Sequence, residues 1–143
     1  MKTTKQLLSA LLCLAVLLCA FTACGKDPAP ENSWENAVYT EDTALGEGAK
    51  TLSITVSMQE NTVVFTVKTD ADTLKDALLP LSLIQGEQQS AGYMVYYVNG
   101  VRADYNEDGA YWAIMQGDDY LMTGVDTTPI ADGDSYAFVY TEA

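Results

Sequence analysis

Between Lys50 and Thr69 the chain alternates apolar and polar residues. Leu52, Ile54, Val56 and Met58 interleave with Thr51, Ser53, Thr55 and Ser57, the period-two signature of a half-buried strand. Val63, Phe65 and Val67 repeat it, and the turn around Gln59–Thr62 makes the pair a hairpin. The period then lengthens. Leu74, Ala77, Leu78 and Leu81 fall at i, i+3, i+4 and i+7, one face of a helix. Thr73 is placed to cap it, with Asp76 at the third position. Pro80 lacks an N–H and clashes one turn back, so the spacing predicts a short helix over Leu74–Leu79, with Leu81, Leu83 and Ile84 running on into the core. Gln85–Ser90 reads as a polar connection. Strands return at Tyr93–Val98, at Val101–Ala103 across the Asn99-Gly100 turn, and at Tyr111–Met115. After the Gly117–Asp119 turn comes a short return at Tyr120–Thr123, and Asp132–Asp134 turns into a last strand, Tyr136–Thr141. Strands, one helix, then more strands predict an α+β fold: a mostly antiparallel sheet with one short helix packed on one face. Residues 49–143 are enough chain to fold without covalent staples.

The first 48 residues follow other rules. Lys2 and Lys5 precede an apolar run from Leu7 to Phe21. The run is shorter than the ~20 residues a bilayer-spanning helix needs, and basic, apolar, then small residues is the order of a secretory signal. It ends Phe21-Thr22-Ala23-Cys24-Gly25, which resembles the bacterial lipobox, with Phe where Leu is usual. The expected organisation is a lipoprotein signal peptide at 1–23 and lipidation of Cys24. An acidic flexible tether at 24–48 and a folded domain at 49–143 follow. Cys13 and Cys19 leave with the signal, so no disulfide is expected in the mature chain. Acyl chains on Cys24 would hold the protein on the extracellular face of the cell membrane. Pro28, Pro30, Gly46 and Gly48, with six acids in the same 24–48 stretch, suit a solvated tether. Trp34 and Tyr39 stand out in it, with packing on the domain and insertion among lipid headgroups both open to them.

Charge removes several function classes. The chain carries 20 acidic and 7 basic residues, net -13. Without Lys2 and Lys5 the balance from Cys24 onward is -15. Nucleic acid is excluded as a partner, because a phosphate backbone requires clustered Lys and Arg. There is no His, which removes Ser-His and Cys-His nucleophilic machinery and most zinc sites. Paired carboxylates mark no particular place, and a small domain offers little depth for a water-excluding pocket. No enzyme activity and no catalytic residues are expected.

Two patterns carry candidate chemistry. Asp104-Tyr105-Asn106-Glu107-Asp108-Gly109 spells the first half of a calcium loop, with Asp104, Asn106 and Asp108 as candidate metal ligands. Its twelfth position, where a bidentate Glu belongs, is Met115, and the flanks read as strands. The same residues are also ordinary turn formers. The second pattern is aromatic: Tyr93, Tyr96, Tyr97, Tyr105, Tyr111, Trp112, Tyr120, Tyr136, Phe138 and Tyr140. Most suit core and cross-strand ladders. Both faces of Tyr93–Val98 are apolar or aromatic, however, more than one short helix can cover. An uncovered aromatic face suggests a ligand or partner surface.

The order of motifs from Thr73 onward is distinctive: Gly92-Tyr93-Met94, Val98-Asn99-Gly100-Val101, Ala103-Asp104-Tyr105, Gly109-Ala110-Tyr111-Trp112-Ala113, Thr123-Gly124-Val125-Asp126 and Asp132-Gly133-Asp134. This order resembles the transcobalamin-like C-terminal domain family. The resemblance implies a β-grasp-like fold. It also implies a ligand-facing edge at Tyr111, Trp112, Leu121, Met122 and Gly124, with cobalamin as the ligand class. Family members that carry cobalamin close over it with a second, helical domain, for which this chain has no room. A half site holds less ligand surface and binds more weakly, so the resemblance implies a partner such as a transporter or another surface protein, a homo-oligomer, or a different cofactor. The expected function is a membrane-anchored extracellular binding lipoprotein for a corrinoid or other small cofactor. The alternative is a cell-surface adhesion or protein-interaction domain stabilised by calcium.

Overall fold

The computed structural model describes residues 27–143; Cys24 and the signal segment lie outside them. The fold is α+β, built on a six-stranded mixed sheet and a three-stranded sheet. In chain order the strands are β1 (Thr43–Gly46), β2 (Lys50–Met58), β3 (Asn61–Thr69), β4 (Ile84–Gln89), β5 (Gly92–Val98), β6 (Val101–Arg102), β7 (Ala110–Gln116), β8 (Asp119–Tyr120) and β9 (Ser135–Glu142). Two short helices, α1 (Leu74–Leu78) and α2 (Tyr105–Asp108), complete it, with 3-10 turns at Trp34–Asn36 and Leu79–Leu81. The large sheet runs β1-β3-β2-β9-β7-β8 and the small one β4-β5-β6. Antiparallel pairing predominates, as expected, but β1 runs parallel to β3 and β2 parallel to β9.

The alternating positions become the core. Leu52, Ile54, Val56, Val63, Phe65 and Val67 are all buried, and Tyr136 and Phe138 of β9 join them. Leu74, Ala77 and Leu78 of α1 close the same cluster, with Leu83, Ile84, Val98 and Val101 from the small sheet's side. Each fully buried side chain of this size contributes about 1.5–3 kcal/mol. Thr73 caps α1 through its Oγ1, which accepts from the Asp76 N–H at 3.2 Å. Two further N–H groups at the start of α1 lack partners within the helix; Leu74 donates to Thr128 O at 3.0 Å and Lys75 to Val125 O at 2.9 Å. The helix start therefore fastens the loop before β9.

Three expectations need correction. Gln85–Ser90 is no mere connection: Ile84–Gln89 forms β4, whose polar side chains lie on an exposed edge. The acidic stretch at 104–109 contains a helical turn, α2. The third concerns the segment read as a solvated tether, which is fastened to the domain over most of its described length. Thr43–Gly46 adds a strand beside β3. Tyr39 stacks edge-to-face on Phe65 with centroids 5.5 Å apart. Asn99 holds Tyr39 like a strand partner: its Oδ1 accepts from Tyr39 N at 2.9 Å and its Nδ2 donates to Tyr39 O at 2.8 Å. Trp34 packs against the core as well. Apolar burial and a buried amide outweigh the polar composition that suggested a tether.

Candidate functional site

The small sheet is incomplete on one side. β6 pairs with β5 only at Tyr97 and Val98, leaving the start of β5 without a strand there. A groove of about 430 Å³ lies along this stretch. One wall is Tyr93–Tyr96 of β5; another is Ala103–Asn106, the entry to α2; Tyr111, Trp112 and Ile114 of β7 and the Gly124–Val125 loop form the rest. Four consecutive β5 residues line it because the β4–β5 register passes over Tyr96, a bulge that re-aims side chains.

Trp112 anchors the floor. It is 6% exposed, its Nε1–H donates to Val101 O at 3.2 Å, and its ring meets Tyr140 edge-to-face at 5.5 Å. A buried indole with its N–H satisfied is a rigid surface. The rim is open to solvent by contrast: Tyr111, Met94 and Tyr105 are exposed at 41%, 48% and 65%. Polar groups are few. Gln89 Nε2 donates to the Tyr96 hydroxyl at 3.1 Å, and Asn106 reaches the wall from α2. Among the described residues, the groove lining includes no Lys or Arg. This chemistry suits a flat, apolar-faced ligand that is neutral or cationic, and disfavours anions.

The Gly124–Val125 wall is shaped by Asp126. A Cβ on Gly124 would sit 2.5 Å from Asp126 Oδ1, and one on Gly92 3.2 Å away, so both glycines leave room for that carboxylate. Oδ1 is buried without a hydrogen-bond partner, while Oδ2 accepts from Gln88 Nε2 at 3.3 Å. The Tyr93 backbone amide first, and Gln88 second, hold the Asp126 carboxyl below its ordinary range. Lys75 Nζ lies 5.3 Å over the Tyr93 ring, a cation–π contact.

The acidic loop is engaged within the protein. Asp104 Oδ1 accepts from the N–H groups of Asn106 and Glu107, capping α2. Asp108 Oδ1 and Oδ2 face Arg102 Nη2 and Nε at 2.8 and 2.9 Å. That fork is the main cause holding Asp108 below the ordinary carboxylate range, and it raises the Arg102 guanidinium. Asp104, Asn106 and Asp108 thus serve as cap, groove wall and ion-pair partner. Among the described residues, no three acidic or Cys side chains gather as a metal site would require.

Of the five ligand-facing candidates, Tyr111, Trp112 and Gly124 line the groove. Leu121 and Met122 do not: Leu121 packs partly against the core, and Met122 is 91% exposed. The Leu121 N–H bonds Ile114 O at 2.8 Å, which carries the chain along the outer edge of β7. Tyr93, Tyr96 and Tyr105 enter through the aromatic surplus visible in the sequence. Met94 and Ile114 had no such signal, since their place depends on how two sheets meet.

No protein-family model matches the chain, and no curated protein matches it. Solved structures do. A protein from Ruminococcus gnavus ATCC 29149, provisionally described as metal binding, is 29% identical over 66% of this chain and 99% of its own, with a TM-score of 0.62. Haptocorrin in complex with Cbi is 17% identical over 65% of this chain, with a TM-score of 0.55. This chain spans a quarter of the haptocorrin chain, and that likeness is one of fold. The α+β arrangement is therefore shared with a bacterial domain matched over nearly its whole length and with one portion of a larger protein.

Proposed function

We propose that this chain is a lipid-anchored binding module of the outer cell surface whose groove takes a small cofactor of corrinoid type. The carrying observation is the groove itself: about 430 Å³, aromatic, and containing Tyr111, Trp112 and Gly124. The haptocorrin likeness supports the choice of ligand class, and the Lys2, Lys5 and Cys24 pattern supports the anchor. The same reading takes the fold as β-grasp-like and assigns no catalytic step. An open groove of this size covers one side of a large cofactor, so a partner, such as a transporter or another surface protein, completes the site.

The test uses the chain from Gly25 onward carrying Trp34→Phe, which leaves Trp112 as the sole indole. Cobinamide should quench its fluorescence saturably, and Tyr111→Ala should weaken the effect. An unchanged spectrum up to millimolar cobinamide overturns the reading.

A second reading, a protein-interaction surface, is favoured by exposed Tyr120 (62%) and Met122 (91%) outside the groove. In that case replacing both with Lys abolishes capture of a surface partner and leaves cobinamide quenching unchanged.

A further inference from the structure

Arg102 is the single arginine of the chain, and it joins Asp108, 6 positions on, to Glu31, 71 positions back. On one side its Nε and Nη2 form the fork to Asp108, whose side chain is only 5% exposed. Asp108 Oδ2 also accepts from the Asp104 N–H at 3.0 Å. The fork therefore grips α2 at both ends, and the first residues of that turn, Asp104 to Asn106, are a wall of the groove. On the other side Arg102 Nη1 pairs with Glu31 Oε2, and the Arg102 backbone N–H donates to Glu31 O at 2.9 Å. The Tyr97 hydroxyl adds a bond to Glu31 Oε2 at 3.3 Å. Next to Glu31, Pro30 O accepts from Ser33 N at 2.9 Å and from Asn36 Nδ2 at 2.7 Å, so the N-terminal segment is folded up to this point.

A planar guanidinium can serve both partners at once, because its five donors are held in one rigid frame. An ammonium is a single point and can reproduce the charge but not the fork. We infer that Arg102 is a positioning residue that couples the N-terminal segment Pro30–Asn36 to the groove wall Asp104–Asn106. When Glu31 lets go, the guanidinium loses one of its fixed partners, and α2 loses a restraint on its orientation. The ligand consequence rests on the binding reading above; the coupling itself does not.

The test measures amide hydrogen exchange and cobinamide quenching on the same variants of the chain from Gly25 onward. Glu31→Gln removes the ion pair on the segment's side and touches nothing in α2. It should speed exchange at Asn106 and Glu107 by about threefold to fivefold, with Ile54 and Val56 in the core unchanged. Arg102→Lys should give the same pattern without rescue, because the fork is lost. Both variants should raise the cobinamide concentration for half-quenching. A purely local staple would loosen Ser33–Asn36 in Glu31→Gln and leave Asn106 and Glu107 at wild-type rates, and that result overturns the inference. If wild-type protein shows no quenching, the binding reading falls, and the exchange rates still decide the coupling.

Discussion

Replacing Asn99 by Ala should destabilise the protein by about 3 kcal/mol, and the parts of that figure can be separated. Asn99 is 1% exposed and sits at φ 52°, followed by Gly100 at φ 82°; both lie in the left-handed region that a two-residue hairpin turn requires. Its side chain satisfies both the N–H and the C=O of Tyr39. Ala leaves those two part-buried groups without partners, at about 1 kcal/mol each. Ala also lacks the short polar side chain through which Asn tolerates a left-handed backbone, at about 1 kcal/mol more. Gly abolishes the second cost and keeps the first, so Asn99→Gly should lose about 2 kcal/mol. The backbone bonds from Asn99 N to Leu83 O and from Val38 N to Asn99 O remain available in both variants. Urea unfolding followed by circular dichroism gives the comparison, with the midpoint falling and the slope unchanged. Should Asn99→Ala lose under about 1 kcal/mol, or should Gly match Ala, the account of Tyr39 as an integral part of the fold is refuted.

Three further outcomes are expected. Gly86→Ala should be severely destabilising, by more than about 2 kcal/mol. Its Cβ would lie 1.8 Å from Met94 O and 3.1 Å from Val95 Cα, so β4 and β5 must part; near-normal thermal unfolding would show otherwise. Burial first, and the Asp134 bond second, push the Tyr136 hydroxyl up to about 12 from 10.0. Because the folded value is the higher, the contribution is complete below pH 10 and is lost as pH rises through about 12. Tyr136→Phe should flatten that part of the alkaline unfolding curve, and an unchanged curve counts against the assignment. Finally, millimolar calcium and chelator should leave the melting temperature where it is, while Asp108→Asn lowers it in both, because Arg102 is what Asp108 serves. A calcium-dependent rise abolished by Asp104→Ala would instead support the metal reading of the acidic loop.

The legible parts of this fold are those decided by neighbours in sequence. Thr73 and Asp76 announce the start of α1 because the cap and its recipient are three residues apart. Asn99-Gly100 announces its turn because two positive φ angles must sit together. β2 and β3 are legible because one hairpin pairs all nine residues, from Lys50 with Thr69 to Met58 with Asn61. β1 is different: Thr43–Gly46 has no strong pattern of its own, and it is a strand because β3 offers a free edge. Tyr39 could not be placed for the same reason, since Phe65 and Asn99 come from distant parts of the chain. At Asp104–Gly109 the motif was legible, but the bonds these residues make inside the protein were not. The spacing brings oxygens close together, but Arg102, two positions earlier, claims Asp108 first. As for the groove, the surplus of aromatic residues was visible, and so were Tyr111 and Trp112. Its other wall depends on where the small sheet meets β7, a relation that no local pattern encodes.

The fastening of the N-terminal segment bears on how far a lipid proposed at Cys24 would let the module stray from a membrane. Cys24 and Pro30 are six residues apart, a contour of about 20 Å at full extension. A loose chain running to Gly48 would allow about 80 Å. If Cys24 carries the proposed lipid, the protein would be a short bracket confined to a shallow layer above the lipid surface. On that proposal, whatever enters the groove would have to be delivered to the lipid surface or already reside there, and handover to a membrane-embedded partner would need only a pivot in place.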